Sequence, residues 1–229
     1  MTVSIRMGGV FGMSIMKFTL TYDGILPASA NGSSKKVPEK QEIREHISPQ
    51  LAELWRLHPA LQRAKRNRYV SKSGAFLTAD HHHSVKLPPG TVDKNSIDLC
   101  AEVELGGVKF MPLVRSSYNT ICGISVLFLR QEAAGSVYQG GDLDNRIKTL
   151  LDALTLPKAE HIAKAPPSSS ASLPIHCLME DDSLMAGLNV ETRRLLTHPG
   201  ADEKQVRLII EVDVRVPDAR SYNTLFLGD

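Results

Sequence analysis

"QVRLIIEVDVRV", residues 205–216, keeps a period of two over eleven residues. Val206, Leu208, Ile210, Val212, Val214 and Val216 fall on one side, and Arg207, Glu211, Asp213 and Arg215 on the other. Successive side chains of a strand point to opposite faces, so this period of two predicts one dry face and one wet face. The sheet that holds it is therefore covered on one side only.

Working outward, "TICGISVLFLR" (Thr120–Arg130) is almost wholly apolar and predicts a central strand buried on both faces. "GVKFMPLVR" (Gly107–Arg115) precedes it, and the intervening "SSYN" is read as a hairpin turn. "IDLCAEVEL" (Ile97–Leu105) and "MKFTLTY" (Met16–Tyr22) are further strands. Between Glu39 and Leu57 the period changes: Ile43, Ile47, Leu51, Leu54 and Trp55 recur at three- and four-residue steps, which predicts a helix. Pro49 interrupts that pattern, and proline inside a helix costs about 3 kcal/mol, so a kink or two abutting helices is expected there. A second helix carries the stripe Ile147, Leu150, Leu151, Leu154. The order of elements predicts an α+β fold, a mixed, mostly antiparallel sheet with the helices packed on one face.

The 229 residues, 42% hydrophobic and 23% charged, suffice for a real core, and we read residues 16–229 as one domain. Exposed loops are expected near residues 63–95 and 157–179, the second because it is rich in Pro and Ser. Met13 and Met16 are alternative starts, so residues 1–15 are expected to be a disordered or misannotated extension. No apolar run approaches the ~20 residues that cross a bilayer, and the first twenty residues lack the apolar core of a signal peptide. Three cysteines, Cys100, Cys122 and Cys177, without a CxxC pair, point to a reducing cytoplasm rather than a disulfide framework.

The second helix raises a chemical question. "GGDLDNRIKTLLDAL" (Gly140–Leu154) places Asp142 and Asp144 at its start. Two carboxylates ~4 Å apart repel by roughly 4 kcal/mol at an effective dielectric of 20. One aspartate at a helix N-terminus gains only ~1 kcal/mol. A second beside it loses more than it gains unless a cation shares the space. In a helix the two would point about 160° apart. For both to serve one site the chain must be extended at Asp142, with Asp144 at the N-cap and Asn145 opening the helix. Carboxylate oxygens without His or Cys suit Mg²⁺ or Mn²⁺ rather than zinc. A cap with a solvated neighbour explains the pair equally well if the acids stand apart.

The string D-L-D-N-x-x-K-x-x-x-D-A-L, from Asp142 to Leu154, resembles the signature of the RusA family of Holliday junction resolvases. The family consists of Mg²⁺-dependent endonucleases that act as homodimers on four-way DNA junctions. The resemblance implies that Asp142, Asp144 and Asp182, the last of "EDD" (180–182), hold the metal. It implies that Lys148 is the catalytic lysine, and it matches Asp152 to a recurrent acid of open role. The N-terminal half, with "EIREHISPQLAELW", and the Pro/Ser-rich segment after the signature helix have no counterpart in it. It implies a metal-dependent endodeoxyribonuclease of branched DNA. The alternative is a catalytically inactive DNA-binding or assembly protein on the same fold.

Net charge is only +2, but Arg63, Lys65, Arg66, Arg68 and Lys72 lie within ten residues that contain no acid. They and Arg193 with Arg194 are candidate phosphate contacts. Against these, His81, His82 and His83 read as a solvated cluster, His176–Cys177 has no partners for a nucleophile, and Trp55 reads as core.

Overall fold

A computed structural model describes residues 2–6, 12–27, 36–66, 68–71, 96–131, 142–196, 205–220, 223 and 226. In chain order the strands are β1 (Thr2–Arg6), β2 (Met13–Ile25), β3 (Tyr69–Ser71), β4 (Ser96–Asp98), β5 (Val103–Leu105), β6 (Val108–Val114), β7 (Ile121–Arg130), β8 (Ile175–Met179), β9 (Met185–Arg194) and β10 (Gln205–Val216). The helices are α1 (Val37–Leu57), α2 (Pro59–Arg66), α3 (Asp142–Leu154) and α4 (Ala159–Lys164). The architecture is α+β, and its strands are mostly antiparallel.

The main sheet has the order β1-β9-β7-β10-β2. Only β7 and β9 run parallel within it. β10 sits between β7 and β2, and its alternation is realised: Val206, Leu208, Ile210, Val212, Val214 and Val216 are all buried. On the other face polar groups pair across strands. Arg207 Nε lies 2.6 Å from Asp23 Oδ1, its direct neighbour in register, and Ser14 Oγ donates to Asp213 Oδ1 at 2.6 Å. β7 is central, as its composition predicts, with alternate residues fully buried and the rest half-buried. The first fifteen residues, expected as an extension, include β1 and the start of β2.

α1 and α3 share a core with the dry face of this sheet. Ile43, Ile47, Leu51 and Trp55 of α1 meet Ile147, Leu150 and Leu154 of α3 in one cluster with the β10 valines. Each such side chain contributes about 1.5–3 kcal/mol by leaving water. That burial holds α1 as a single helix through the exposed Pro49, where a break into two was one expectation.

Three expectations are corrected. β6 and β7 form no hairpin; they lie in different sheets, because β6 joins β5 and β8 in a second sheet of three strands. The residues between them make a 3-10 turn, Ser116–Tyr118, and then a left-handed Asn119 at φ 53°. Tyr118 is buried and its hydroxyl donates to the Asp98 carbonyl at 2.9 Å, so the linker is pinned and redirects the chain. The strand expected over Ile97–Leu105 splits in two at Leu99–Cys100, where Asp98 Oδ1 accepts from Cys100 N at 2.9 Å in an Asx turn.

The third correction concerns the expected loops. Within residues 157–179, α4 buries Ile162 against Phe110, Ile175 and Cys177, and Ser168 is tied to Glu45 by two hydrogen bonds. β8 lies at the end of this stretch, parallel to β6 and almost wholly buried. Within residues 63–95, α2 and β3 take the first part; Lys72 and the histidines 81–83 lie outside the described residues.

Candidate functional site

α3 begins at Asp142, so both acids of the pair lie in its first turn. The condition for both acids to serve one site, an extended backbone at Asp142 with Asp144 at the N-cap, is therefore not met. The Asp142 side chain lies outside the described residues. Asp144 and, one turn on, Lys148 are exposed. A further turn on, Asp152 faces α1. Its carboxylate Oδ2 lies 2.6 Å from Lys40 Nζ, and Lys40 is buried.

The far end of α3 is fixed by Arg44. Its guanidinium donates to the Asp152 carbonyl at 3.0 Å and to the Thr155 carbonyl at 3.2 Å, both acceptors that the helix end leaves open. Burial pushes the Arg44 pKa down, against the favourable fields of Cys177, Asp152 and Glu45. After α3 the chain touches β8: Leu156 N donates to the Met179 carbonyl at 3.1 Å. Met179 is the last residue of β8, so this bond brings the end of the signature helix beside Glu180–Asp182.

Those three acids have different roles. Glu180 Oε2 accepts from Ser116 N and Ser116 Oγ, each at 3.1 Å. Asp181 Oδ1 accepts from Ser183 N at 2.9 Å and caps the 3-10 turn Asp182–Leu184. The Ser183 side chain, and after it this backbone bond, hold the Asp181 carboxyl below the usual carboxylate range. Asp182, the first residue of the turn, is exposed.

A pocket of about 350 Å³ lies where these segments meet. Lys148 and Asp152 of α3, Lys40 and Arg44 of α1, Lys158 and His161 around α4, and Glu180, Asp181 and Asp182 all contribute to its lining. Lys148 and Asp182 thus share one pocket, although separate elements carry them. Asp144 is not among the lining residues. Among the described residues no group of three or more Asp, Glu, His or Cys is arranged to hold a metal ion. The carboxylates near the pocket are chemically suited to a hard divalent cation.

Sequence reasoning missed Lys40, Arg44, Lys158 and His161. Lys40 and Arg44 carried a signal. They lie at i and i+4 within the stripe of Ile43, Ile47 and Leu51, and a cation on the apolar face of a helix implies a buried anionic or carbonyl partner.

The candidate phosphate contacts are dispersed. Arg63, Lys65 and Arg66 lie on α2, with Lys65 Nζ 5.9 Å from the ring centre of the buried Trp55. Arg68 forks onto Asp98 at 2.7 and 2.8 Å, an internal clasp that raises its pKa. The acid came from thirty residues downstream, so the acid-free run does not isolate it. Arg193 pairs with Glu191 at 2.7 Å on the same strand, and Arg194 is exposed. Cys177 is fully buried, and burial pushes its thiol up to about 11, as suits a core residue rather than a nucleophile.

Compared with protein-family models, curated proteins and solved structures, the chain matches none of them. Among the described residues no helix is long and apolar enough to cross a membrane.

Proposed function

We propose that the protein is a metal-dependent, structure-selective endodeoxyribonuclease that hydrolyses phosphodiesters of branched DNA. The observation that carries the reading is that Lys148 and Asp182 line one pocket, at the helix that begins with Asp142 and Asp144. These four residues are the ones the RusA resemblance implies.

Asp182 in the pocket, with Asp144 at the head of α3, would hold Mg²⁺ or Mn²⁺, which would supply Lewis-acid polarisation of the phosphodiester and a more acidic bound water; one helical turn does not direct Asp142 and Asp144 at the same ion. Lys148 offers its ammonium to the charge that builds on the phosphoryl oxygens. Arg44 and the Lys40–Asp152 pair fix the helix that presents Lys148. Cutting two opposed strands of a junction calls for two sites related by a two-fold axis, hence a homodimer. Lys65, Arg66 and Arg194, all exposed, are available to DNA phosphates beyond the pocket. Three free, buried cysteines suit a reducing cytoplasm.

The test is incubation of a labelled four-way junction and a linear duplex with the protein, with and without Mg²⁺. Mg²⁺-dependent cleavage of the junction is expected. Asp144→Asn should abolish it while DNA affinity is kept or increased, because a negative charge facing phosphate is gone. An Asp144→Asn variant that cleaves as the wild type does, or a folded one that no longer binds the junction, contradicts this site.

A second reading is a DNA-binding or assembly protein without catalysis. It is favoured by the commitment of Glu180 and Asp181 to hydrogen bonds with backbone N–H groups, which leaves Asp182 as the acid of its trio without a structural duty of that kind. Junction binding without Mg²⁺-dependent cleavage selects this reading.

A further inference from the structure

The pocket has a wall to which the family resemblance assigns nothing. It is built by the segment between α3 and β8, which contributes Lys158 and His161. This segment is firmly placed. Pro157 is buried, Ile162 is packed into the second apolar cluster, and Gly106 approaches so closely that a Cβ there would sit 3.2 Å from Ile162 Cβ. The Lys158 carbonyl accepts the first hydrogen bond of α4, from His161 N at 2.8 Å, so its backbone is fixed as well.

Most charged groups around the pocket already have a duty. Asp152 faces Lys40, Glu180 is held by Ser116, Asp181 by Ser183 N, and Arg44 by the carbonyls ending α3. Lys148 and Lys158 are exposed and form no ion pair with a described residue. His161 titrates below its ordinary value, first through burial; Glu160 opposes this, and Lys40, Lys158 and Lys164 add to it. A volume of about 350 Å³ is at the small end for ligand pockets and suits one phosphate or nucleotide group, not a duplex.

We infer that Lys158 and His161, with Lys148, form an oxyanion subsite that holds a phosphate group of the ligand beside Asp182. The subsite deepens the nuclease reading and rests on it for the source of the phosphate, a phosphodiester of the DNA backbone. Lysine contributes here as a point charge with three donors, and the imidazole adds a ring N–H.

Binding is measured in EDTA, so cleavage plays no part. Anisotropy of a labelled junction over a salt series should show a slope smaller by about one for Lys158→Gln, with uniformly weaker affinity. Lys158→Arg should keep the wild-type slope. Lys164→Gln, the same charge change on α4 outside the pocket lining, should also leave it unaltered. In a second arm, millimolar inorganic phosphate is titrated into the metal-free protein, and the His161 ring resonances should move in the wild type but not in Lys158→Gln. A response to phosphate without junction binding upholds the subsite for a small phosphorylated ligand and overturns the DNA source. An unchanged slope in folded Lys158→Gln, together with unmoved His161 resonances, overturns the subsite. Absence of cleavage in Mg²⁺ bears on the nuclease reading alone.

Discussion

Lys40 Nζ lies 2.6 Å from Asp152 Oδ2, and this contact ties α1 to the signature helix α3. The two ends are solvated unequally: the Lys40 side chain is 6% exposed, that of Asp152 35%. Removing one partner of a buried pair costs about 3–5 kcal/mol, and solvent reduces this where a partner is reached by water. Asp152→Ala takes the carboxylate from a buried ammonium and should cost about 1–3 kcal/mol. Lys40→Met leaves the better-solvated group behind and should cost less. Urea unfolding of both variants checks the order. Equal or reversed losses would mean that the contact does not carry the coupling.

Arg44 acts on the same helix through its carbonyls. Its bonds to the Asp152 and Thr155 oxygens close the C-terminal turn of α3, and its Nη1 donates to Gln41 Oε1 at 2.7 Å. Arg44→Met keeps much of the side-chain volume but takes the guanidinium from the Thr155 carbonyl and leaves the Asp152 carbonyl only the Thr155 hydroxyl at 3.1 Å, at about 1–3 kcal/mol of stability. Arg44→Lys should recover only part, because an ammonium cannot fork across two carbonyls as a planar guanidinium does. Amide exchange should quicken in the last turn of α3 and at Leu156, and much less in β10. Uniform quickening would instead indicate a general loss of packing.

The reach of the sequence follows from what each residue can signal locally. The β10 valines announce their strand because a period of two survives any tertiary setting that wets one face. The stripe of Ile43, Ile47 and Leu51 announces α1 for the same reason. β8 is invisible because its five residues follow a Pro/Ser-rich stretch, and its partner β6 lies some sixty residues upstream. The false hairpin arose because two apolar runs close in sequence look like a ladder, while the buried Tyr118 that diverts the linker has its acceptor at Asp98. Of the residues singled out in the sequence, Lys148, Asp152 and Asp182 line the pocket and Asp144 does not, while Lys158 and His161 gave no local signal. Their place beside Lys148 depends on the fold of α4 onto Phe110 and Ile175.

Two histidines make stability fall on mild acidification. His176 titrates below its ordinary value, first through burial and then through Lys65, and His161 does so chiefly through burial. An unfolded histidine takes a proton near pH 6.5. Below that pH the unfolded chain binds more protons than the native one until the lower native pKa is reached, so stability decreases with falling pH over that interval. His176→Gln should flatten this part of the profile more than His161→Gln, since His176 is the more buried. Its backbone N–H bond to Ser48 Oγ at 2.9 Å remains in either case. Denaturant melts between pH 5 and 7.5 give the slopes, and a slope that His176→Gln leaves untouched removes this residue as its source.

Asp181 and Asp182 are adjacent, yet they should fail in different ways. Asp181 caps the turn that presents Asp182, through its bond to Ser183 N. Losing a cap costs about 0.5–1 kcal/mol at an exposed site, so Asp181→Ala should be destabilising, while Asp181→Asn keeps an oxygen for the same bond. The Asp181 carboxyl is held below its ordinary value, so its contribution is full above the unfolded carboxylate pKa and is lost as pH falls through the native one. Asp182 has an exposed side chain at the pocket and should tolerate Asn with no change in stability. On the nuclease reading Asp182→Asn nonetheless removes Mg²⁺-dependent cleavage, whereas Asp181→Asn retains it and Asp181→Ala lowers it by loosening the turn. Parallel urea melts and junction-cleavage assays on the three variants separate the roles. Full cleavage by Asp182→Asn with none by Asp181→Asn would move the metal-binding role to the neighbouring acid.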